Sequence, residues 1–222
     1  MRAIVLAAGQ GFQIDGMNKC LIRDPRDGCS VLGKLVRAFA GKHITVVVGY
    51  RAIAIMQEYP TLDYILNPDW SITNNSHSLA LALNHEPCYV VSGDMIFEPD
   101  LIKAMDEGPP DTVLTECREN RIQTAVNCHL DGSRIVDIYQ GHVRSPQDPE
   151  AIGLFKVSHP DLLQAWRANC LDHGNLFVGM NLPLDSAAPP IQAFEGRGFR
   201  FDEINTPLDY MNLLTRTSKS SP

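Results

Sequence analysis

The chain has 222 residues, 44% of them apolar and 20% charged, with a formal net charge of −7. That length and balance suit one large globular domain with a proper core, and the acidic sign argues against a nucleic-acid surface, which needs a basic stripe. No run of about 18 apolar residues is present to span a membrane, the apolar run before Gly9 is too short for a signal peptide, and the six cysteines lack C-x-x-C spacing, so reduced thiols in a cytoplasmic protein are expected instead of a structural zinc site.

In chain order, compact apolar runs at 3–6, 44–48, 64–66, 89–91 and 112–115 read as buried strands. Helical stretches fall between them at 31–40, 52–58, 77–84 and 100–106, the first with Leu32, Leu35, Val36 and Phe39 on one face. Strand and helix thus alternate to about residue 115, the signature of a parallel sheet with helices on both faces. The pattern then changes. Residues 124–129 and 134–139 flank Asp131-Gly132-Ser133 and read as a hairpin. A strand at 151–157, a helix at 160–170 and a short strand at 199–202 follow, and Pro207 opens a last helix to 214. Residues 217–222 form a Ser-rich, flexible tail.

Four segments after predicted strands carry the chemistry, and open parallel sheets gather ligands at the carboxyl ends of their strands. The first is LAAGQGFQIDGMNK, from Leu6 to Lys19. It fits neither G-x-G-x-x-G, because Ile14 stands at the third glycine, nor the P-loop, because no Ser or Thr follows Lys19. Glycines after a strand turn backbone N–H groups toward an anion, and a lysine adds a mobile charge; a plain strand-to-helix turn would look the same. The second segment holds Thr73, Asn74, Asn75 and Ser76 before an apolar helical stretch. One such residue suffices for an N-cap, so the surplus favours hydrogen bonds to a base or ribose. In the third, Asp94 follows a strand and Gly93, a position suited to a Mg²⁺ ligand or to an ordinary turn. In the fourth, Glu203 and Asn205 share one side of an extended stretch, just before Thr206 and Pro207, which suit a helix N-terminus.

Together these segments resemble the nucleotidyltransferase superfamily of sugar-nucleotide pyrophosphorylases. LAAGQG at 6–11 is similar to its N-terminal signature, Lys19 to its downstream lysine, Gly93-Asp94 to its metal-binding motif and EINTPLDY at 203–210 to its C-terminal acidic motif. The TNN..SL pattern at 73–79 resembles the cytidylyltransferase branch acting on phosphocholine and small phosphonates. The resemblance implies an α/β, Rossmann-like three-layer fold with a mostly parallel mixed sheet and a small antiparallel acceptor-side extension. It implies a single domain over 1–216, with 1–115 binding nucleotide, 116–202 shaping the acceptor side and 203–216 holding the metal motif and last helix. The implied reaction transfers CMP from CTP to a small phosphonate or phosphate ester with Mg²⁺, without nucleic acid or membrane, and is compatible with a homodimer. Leu6, Ala7, Ala8, Gly9, Gln10, Gly11, Thr73, Asn74, Asn75, Ser78 and Gly93 would line the nucleotide. Lys19 and Asp94 would be catalytic, with Asp94, Glu203 and Asn205 at the metal.

Two departures stand out. Gln13 replaces the arginine of the family loop, and Asn18 replaces the usual proline before the lysine. For the acceptor, a choline head would favour an aromatic cage, with Trp70, Trp166, Tyr139 and Phe155 as pieces. A compact dianion would favour Arg118, Arg121, Lys156, Arg197 or Arg200, of which Arg118, Arg121 and Lys156 are taken as acceptor-binding. The alternatives are a phosphocholine cytidylyltransferase, a sugar-1-phosphate or molybdopterin nucleotidyltransferase, and a nucleotide-binding module that has lost turnover.

Overall fold

A computed structural model describes residues 1–14, 16–118, 121, 124–185 and 189–215; the tail at 217–222 and the side chain of Gln13 lie outside the described residues. β1 (Arg2–Ala7), β2 (His43–Val48), β3 (Asp63–Leu66) and β4 (Cys88–Ser92) form a parallel block in the order β3-β2-β1-β4. The crossovers are α1 (Val31–Ala38), α2 (Ala52–Glu58) and α3 (Asn75–Ala82). After β4 come β5 (Met95–Phe97), α4 (Pro99–Glu107), β6 (Thr112–Glu116), the hairpin β7 (Val126–Asp131) and β8 (Arg134–Gln140), β9 (Glu150–Val157) and α5 (Pro160–Asp172). β10 (Gln192–Glu195), β11 (Phe201–Glu203) and α6 (Pro207–Thr215) complete the described chain.

The alternation expected to residue 115 breaks at one place. β6 does not lie beside β4; β9 inserts between them, antiparallel to both, and the sheet continues β9-β6-β10-β8-β7. β9 is buried from Ala151 to Val157, as a central strand covered on both faces requires. Two short strands had no expected counterpart. β10 pairs parallel to β6, and β5 pairs with β11 as a separate two-stranded ribbon. Three residues of β5 are too few for a period to show.

Strand alternation divides the core into two layers. Ile4 and Leu6 of β1 pack with Leu79 of α3 and Leu163 and Trp166 of α5. Ala3, Val5 and Ala7 face the other way, with Leu32 and Leu35 of α1 and Leu101 and Met105 of α4. A third, smaller cluster of Ile14, Ile22, Val31, Ile96, Ile204 and Leu213 ties the opening loop to the β5–β11 ribbon and α6. The isoleucine that spoils the dinucleotide pattern is therefore a buried anchor. Four of the six cysteines are buried and all six are free. Among the described residues no helix is long and apolar enough to cross a membrane.

Candidate active site

The carboxyl ends of β1, β3 and β4 open on one side of the sheet, and their loops meet the β11–α6 connection around a cleft of about 300 Å³. Leu6, Ala7, Ala8, Gly9, Gln10, Gly11 and Lys19 line it from the first loop. Thr73, Asn74, Asn75 and Ser78 line it from the second, Gly93 and Asp94 from the third, and Glu203 and Asn205 from the fourth.

The first loop closes on itself. Ile14 and Gly16 both donate their backbone N–H to the Gly11 carbonyl at 3.0 Å, and Gly16 takes the left-handed turn at φ +67°. The loop's base is tied to the sheet by Tyr50 N–H donating to the Ala8 carbonyl at 2.9 Å. The N–H groups of Gly9 and Gln10 have no acceptor among the described residues. A Cβ added at Gly9 would meet nothing within 4 Å, so the space beside it is open. Free amides beside open space are what an anion cradle requires.

Lys19 is delivered to the centre of the site. Its Nζ donates to Asp94 Oδ2 at 2.9 Å and to Asn205 Oδ1 at 2.6 Å. Asp94 is held by close packing of the preceding residue: Gly93 N–H donates to the Leu6 carbonyl at 2.9 Å, and a Cβ on Gly93 would lie 2.8 Å from that oxygen and 2.9 Å from Cys20 Sγ. From the other side, Ile204 N–H donates to the Asp94 carbonyl at 3.0 Å. The ribbon register sets Glu203 opposite Met95, next to Asp94. Burial, and then the negative charge of Asp94, push the Glu203 carboxyl up to about 7; a hydrogen bond from Asn205 and the Lys19 charge act against this. Thr206 directly precedes α6, its Oγ1 accepting from Asp209 N–H at 3.3 Å while the Asp209 carboxylate accepts from the N–H groups of Asn205 and Thr206. Helix capping and cleft lining therefore coexist here.

Asp94 Oδ1 is buried with no hydrogen-bond partner. An orphaned carboxylate oxygen beside Glu203 and the Asn205 carbonyl is a donor set of the kind Mg²⁺ takes. Among the described residues no group of three His, Cys, Asp or Glu side chains forms a metal site. Two carboxylates and an amide fit a cation whose remaining ligands come from water and phosphate.

The polar run at 73–76 is more fully employed than its sequence suggests. Asn74 caps α3, its Oδ1 accepting from Asn75 N–H at 2.7 Å. Thr73 donates to the Asp69 carbonyl, Asn75 Oδ1 accepts from Val178 N–H and Ser76 Oγ accepts from Asn181 Nδ2. The surplus over one cap thus fastens α3 to the 174–181 segment, while Thr73, Asn74 and Asn75 keep a face on the cleft.

Of the residues expected at the acceptor, Lys156 is misplaced. Its buried Nζ donates to the carbonyls of Met105, Asp106 and Gly108 at 2.5, 3.4 and 3.3 Å, closing the C-terminal end of α4. It sits six residues beyond Glu150 along β9, roughly 20 Å from that strand's start. Arg118 and Arg121 do lie at the β6–β9 end, but engaged: Arg118 with Glu116 and Glu150, Arg121 with Asn127 Oδ1 at 2.6 Å. Arg197 and Arg200 are exposed and outside the cleft lining. The four aromatics form no cage. Trp166 and Phe155 pack with tilted rings in the core, Tyr139 is buried against Asp148, and of the four only Trp70 reaches the cleft. Trp70, Phe177, Ser92, Asn18 and Cys20 line it without having been singled out as nucleotide contacts. Phe177 arrives from a segment after α5 that no motif marks.

A family described as the MobA-like NTP transferase domain matches residues 3–175. The CMP-5′-(3-aminopropyl)phosphonate synthase of Streptomyces rubellomurinus is 29% identical over 150 residues, which are 60% of this chain and 23% of that protein. The chain therefore matches under a quarter of that relative's length. Among solved structures, the CTP:phosphocholine cytidylyltransferase of Streptococcus pneumoniae superposes with a TM-score of 0.77 at 17% identity, covering 97% of this chain and 98% of that one. The inositol-1-phosphate CTP transferase of T. maritima gives 0.73 at 17% identity, covering 100% and 97%. At such identity these two establish the fold.

Proposed function

The chain belongs to the MobA-like NTP transferase family, and from that premise we propose that it is a Mg²⁺-dependent cytidylyltransferase transferring CMP from CTP to a small phosphonate. The observation that carries this reading is the meeting of Lys19, Asp94 and Asn205 through one ammonium at the foot of the glycine loop, beside Glu203. Cytidine is supported by the TNN..SL segment on the cleft wall and by two fold neighbours named for CTP. A phosphonate acceptor is supported by the product named for the Streptomyces relative.

An ionised phosphonate oxygen attacks the α-phosphorus of CTP. The new P–O bond forms as the bond to the bridging oxygen breaks, and pyrophosphate leaves with that electron pair. No proton need move, so catalysis is alignment and charge neutralisation. The free amides of Gly9 and Gln10 hold the phosphates. Lys19, a mobile point charge, follows the negative charge onto the leaving pyrophosphate. Asp94, Glu203 and Asn205 would hold the cation, which would supply charge neutralisation at the phosphates.

The test is pyrophosphate release from each of the four nucleoside triphosphates with phosphonates, phosphocholine and sugar 1-phosphates. CTP with a phosphonate should give the highest kcat/KM. Release with sugar 1-phosphates alone, or with no acceptor in the panel, overturns the proposal.

A further inference from the structure

Asn67 directly follows β3 and is buried, outside the cleft lining but bonded to two residues that belong to it. Its Oδ1 accepts from Asp69 N–H at 2.9 Å. A backbone N–H can only donate, so this bond fixes the amide and turns its nitrogen the other way. That nitrogen donates to Ser78 Oγ at 2.9 Å and to Thr73 Oγ1 at 3.3 Å. The Thr73 hydroxyl gives its one proton to the Asp69 carbonyl at 2.7 Å.

These bonds set the polarity of both hydroxyls. A hydroxyl has one proton and two lone pairs. Thr73 has committed its proton to a carbonyl and one lone pair to Asn67, so what it has left for a ligand is a lone pair. Ser78 accepts from Asn67, and its own proton has no acceptor among the described residues. Ser78 is 3% exposed, and a buried donor left without a partner is costly. Two hydroxyls that diverge from one amide nitrogen thus offer the cleft one donor and one acceptor. A pyrimidine carries two exocyclic groups, at positions 2 and 4. In uracil both are carbonyls; in cytosine the second is an amine. One donor and one acceptor match cytosine, whereas uracil would set its 4-carbonyl against the Thr73 lone pair. Trp70 and Phe177 line the same cleft and supply apolar rings suited to a base.

Resting on the cytidylyltransferase reading above, we infer that Ser78 donates to the 2-carbonyl of the base, that Thr73 accepts from its 4-amino group, and that Asn67 is the positioning residue that holds both polarities. Thr73 then determines cytosine over uracil, while Ser78 meets a group the two bases share.

The experiment measures the Kd of CTP and of UTP by calorimetry with Mg²⁺, on variants whose melting curves show them folded. The wild-type chain should bind CTP about tenfold more tightly or better. Thr73→Val, which keeps the shape and loses the oxygen, should bring the two Kd values within about threefold of each other, and Thr73→Ala serves the same comparison if the valine variant does not fold. Thr73→Ser, which keeps the hydroxyl, should retain the preference. Ser78→Ala should weaken both nucleotides by the same factor. Asn67→Asp accepts where asparagine donates and so captures the Ser78 proton; it should also weaken both nucleotides, yet add little in a Ser78→Ala background, a dependence that a packing role would not give. A preference for CTP that survives loss of the Thr73 hydroxyl, or losses that simply add in the Asn67→Asp, Ser78→Ala double variant, overturn the inference and leave the cytidylyltransferase reading standing. A wild-type chain that binds UTP as tightly as CTP overturns both.

Discussion

The two ends of the sheet meet charge in different ways. Around β1 and β4 the cleft offers free backbone amides, one ammonium and a carboxylate held from both flanks. At the ends of β6 and β9, outside the cleft lining, long charged side chains pair across strands instead, such as Arg118 between Glu116 and Glu150. The first arrangement is fixed by main-chain geometry and suits a group common to every nucleoside triphosphate. The second rests on individual side chains, so single substitutions can rewrite it without disturbing the glycine loop.

Substitutions at the first end should break chemistry. If Asp94 holds the proposed cation, Asp94→Ala should cut kcat by about 100-fold or more even at saturating Mg²⁺, since several kcal/mol of charge stabilisation would be lost. Near wild-type turnover in steady-state assays would remove Asp94 from the metal role. Lys19→Ala should lower kcat by roughly 10- to 100-fold and weaken CTP binding by less, because its charge matters most as pyrophosphate departs. A larger effect on the calorimetric Kd for CTP than on kcat would make it a ground-state contact. Gly9→Ala sharpens the claim about the cradle. The space beside Gly9 is open, so the variant should melt near the wild-type temperature while its KM for CTP rises about tenfold, the equivalent of roughly 1.4 kcal/mol. An unchanged KM would mean that the triphosphate does not approach this amide.

The smallest expected effect on activity is at Lys156, which is buried in the other half of the sheet but away from the site. Lys156→Met should leave kcat/KM within about twofold and cost roughly 1–3 kcal/mol of stability in urea unfolding, as three carbonyls at the end of α4 lose their donor. A large loss of activity without loss of stability would return it to the acceptor site.

This division explains what the sequence reveals. Sites carried by short contiguous segments leave a local pattern, so LAAGQG, Gly93-Asp94 and the EINTPLDY segment are visible as motifs, and the structure brings them to one cleft. Side-chain pairings such as Arg118 with Glu150 draw on residues distant in sequence, and no local pattern unites them. Lys156 misleads for the same reason: composition registers a basic residue in the right half of the chain, but only the strand's length and direction send its ammonium to α4. The insertion of β9 between β4 and β6 is likewise set by long-range pairing. The polar run at 73–76 shows a subtler limit, because tertiary hydrogen bonds to the 174–181 segment claim groups that look available for a ligand.

Phosphorus-31 spectroscopy of a reaction containing CTP, Mg²⁺ and 3-aminopropylphosphonate tests the central claim most directly. The account predicts free pyrophosphate together with a pair of mutually coupled resonances, one phosphate and one phosphonate, joined through the new P–O–P bond. CTP that stays intact, or that yields CMP and pyrophosphate while the phosphonate signal is unchanged, would contradict it.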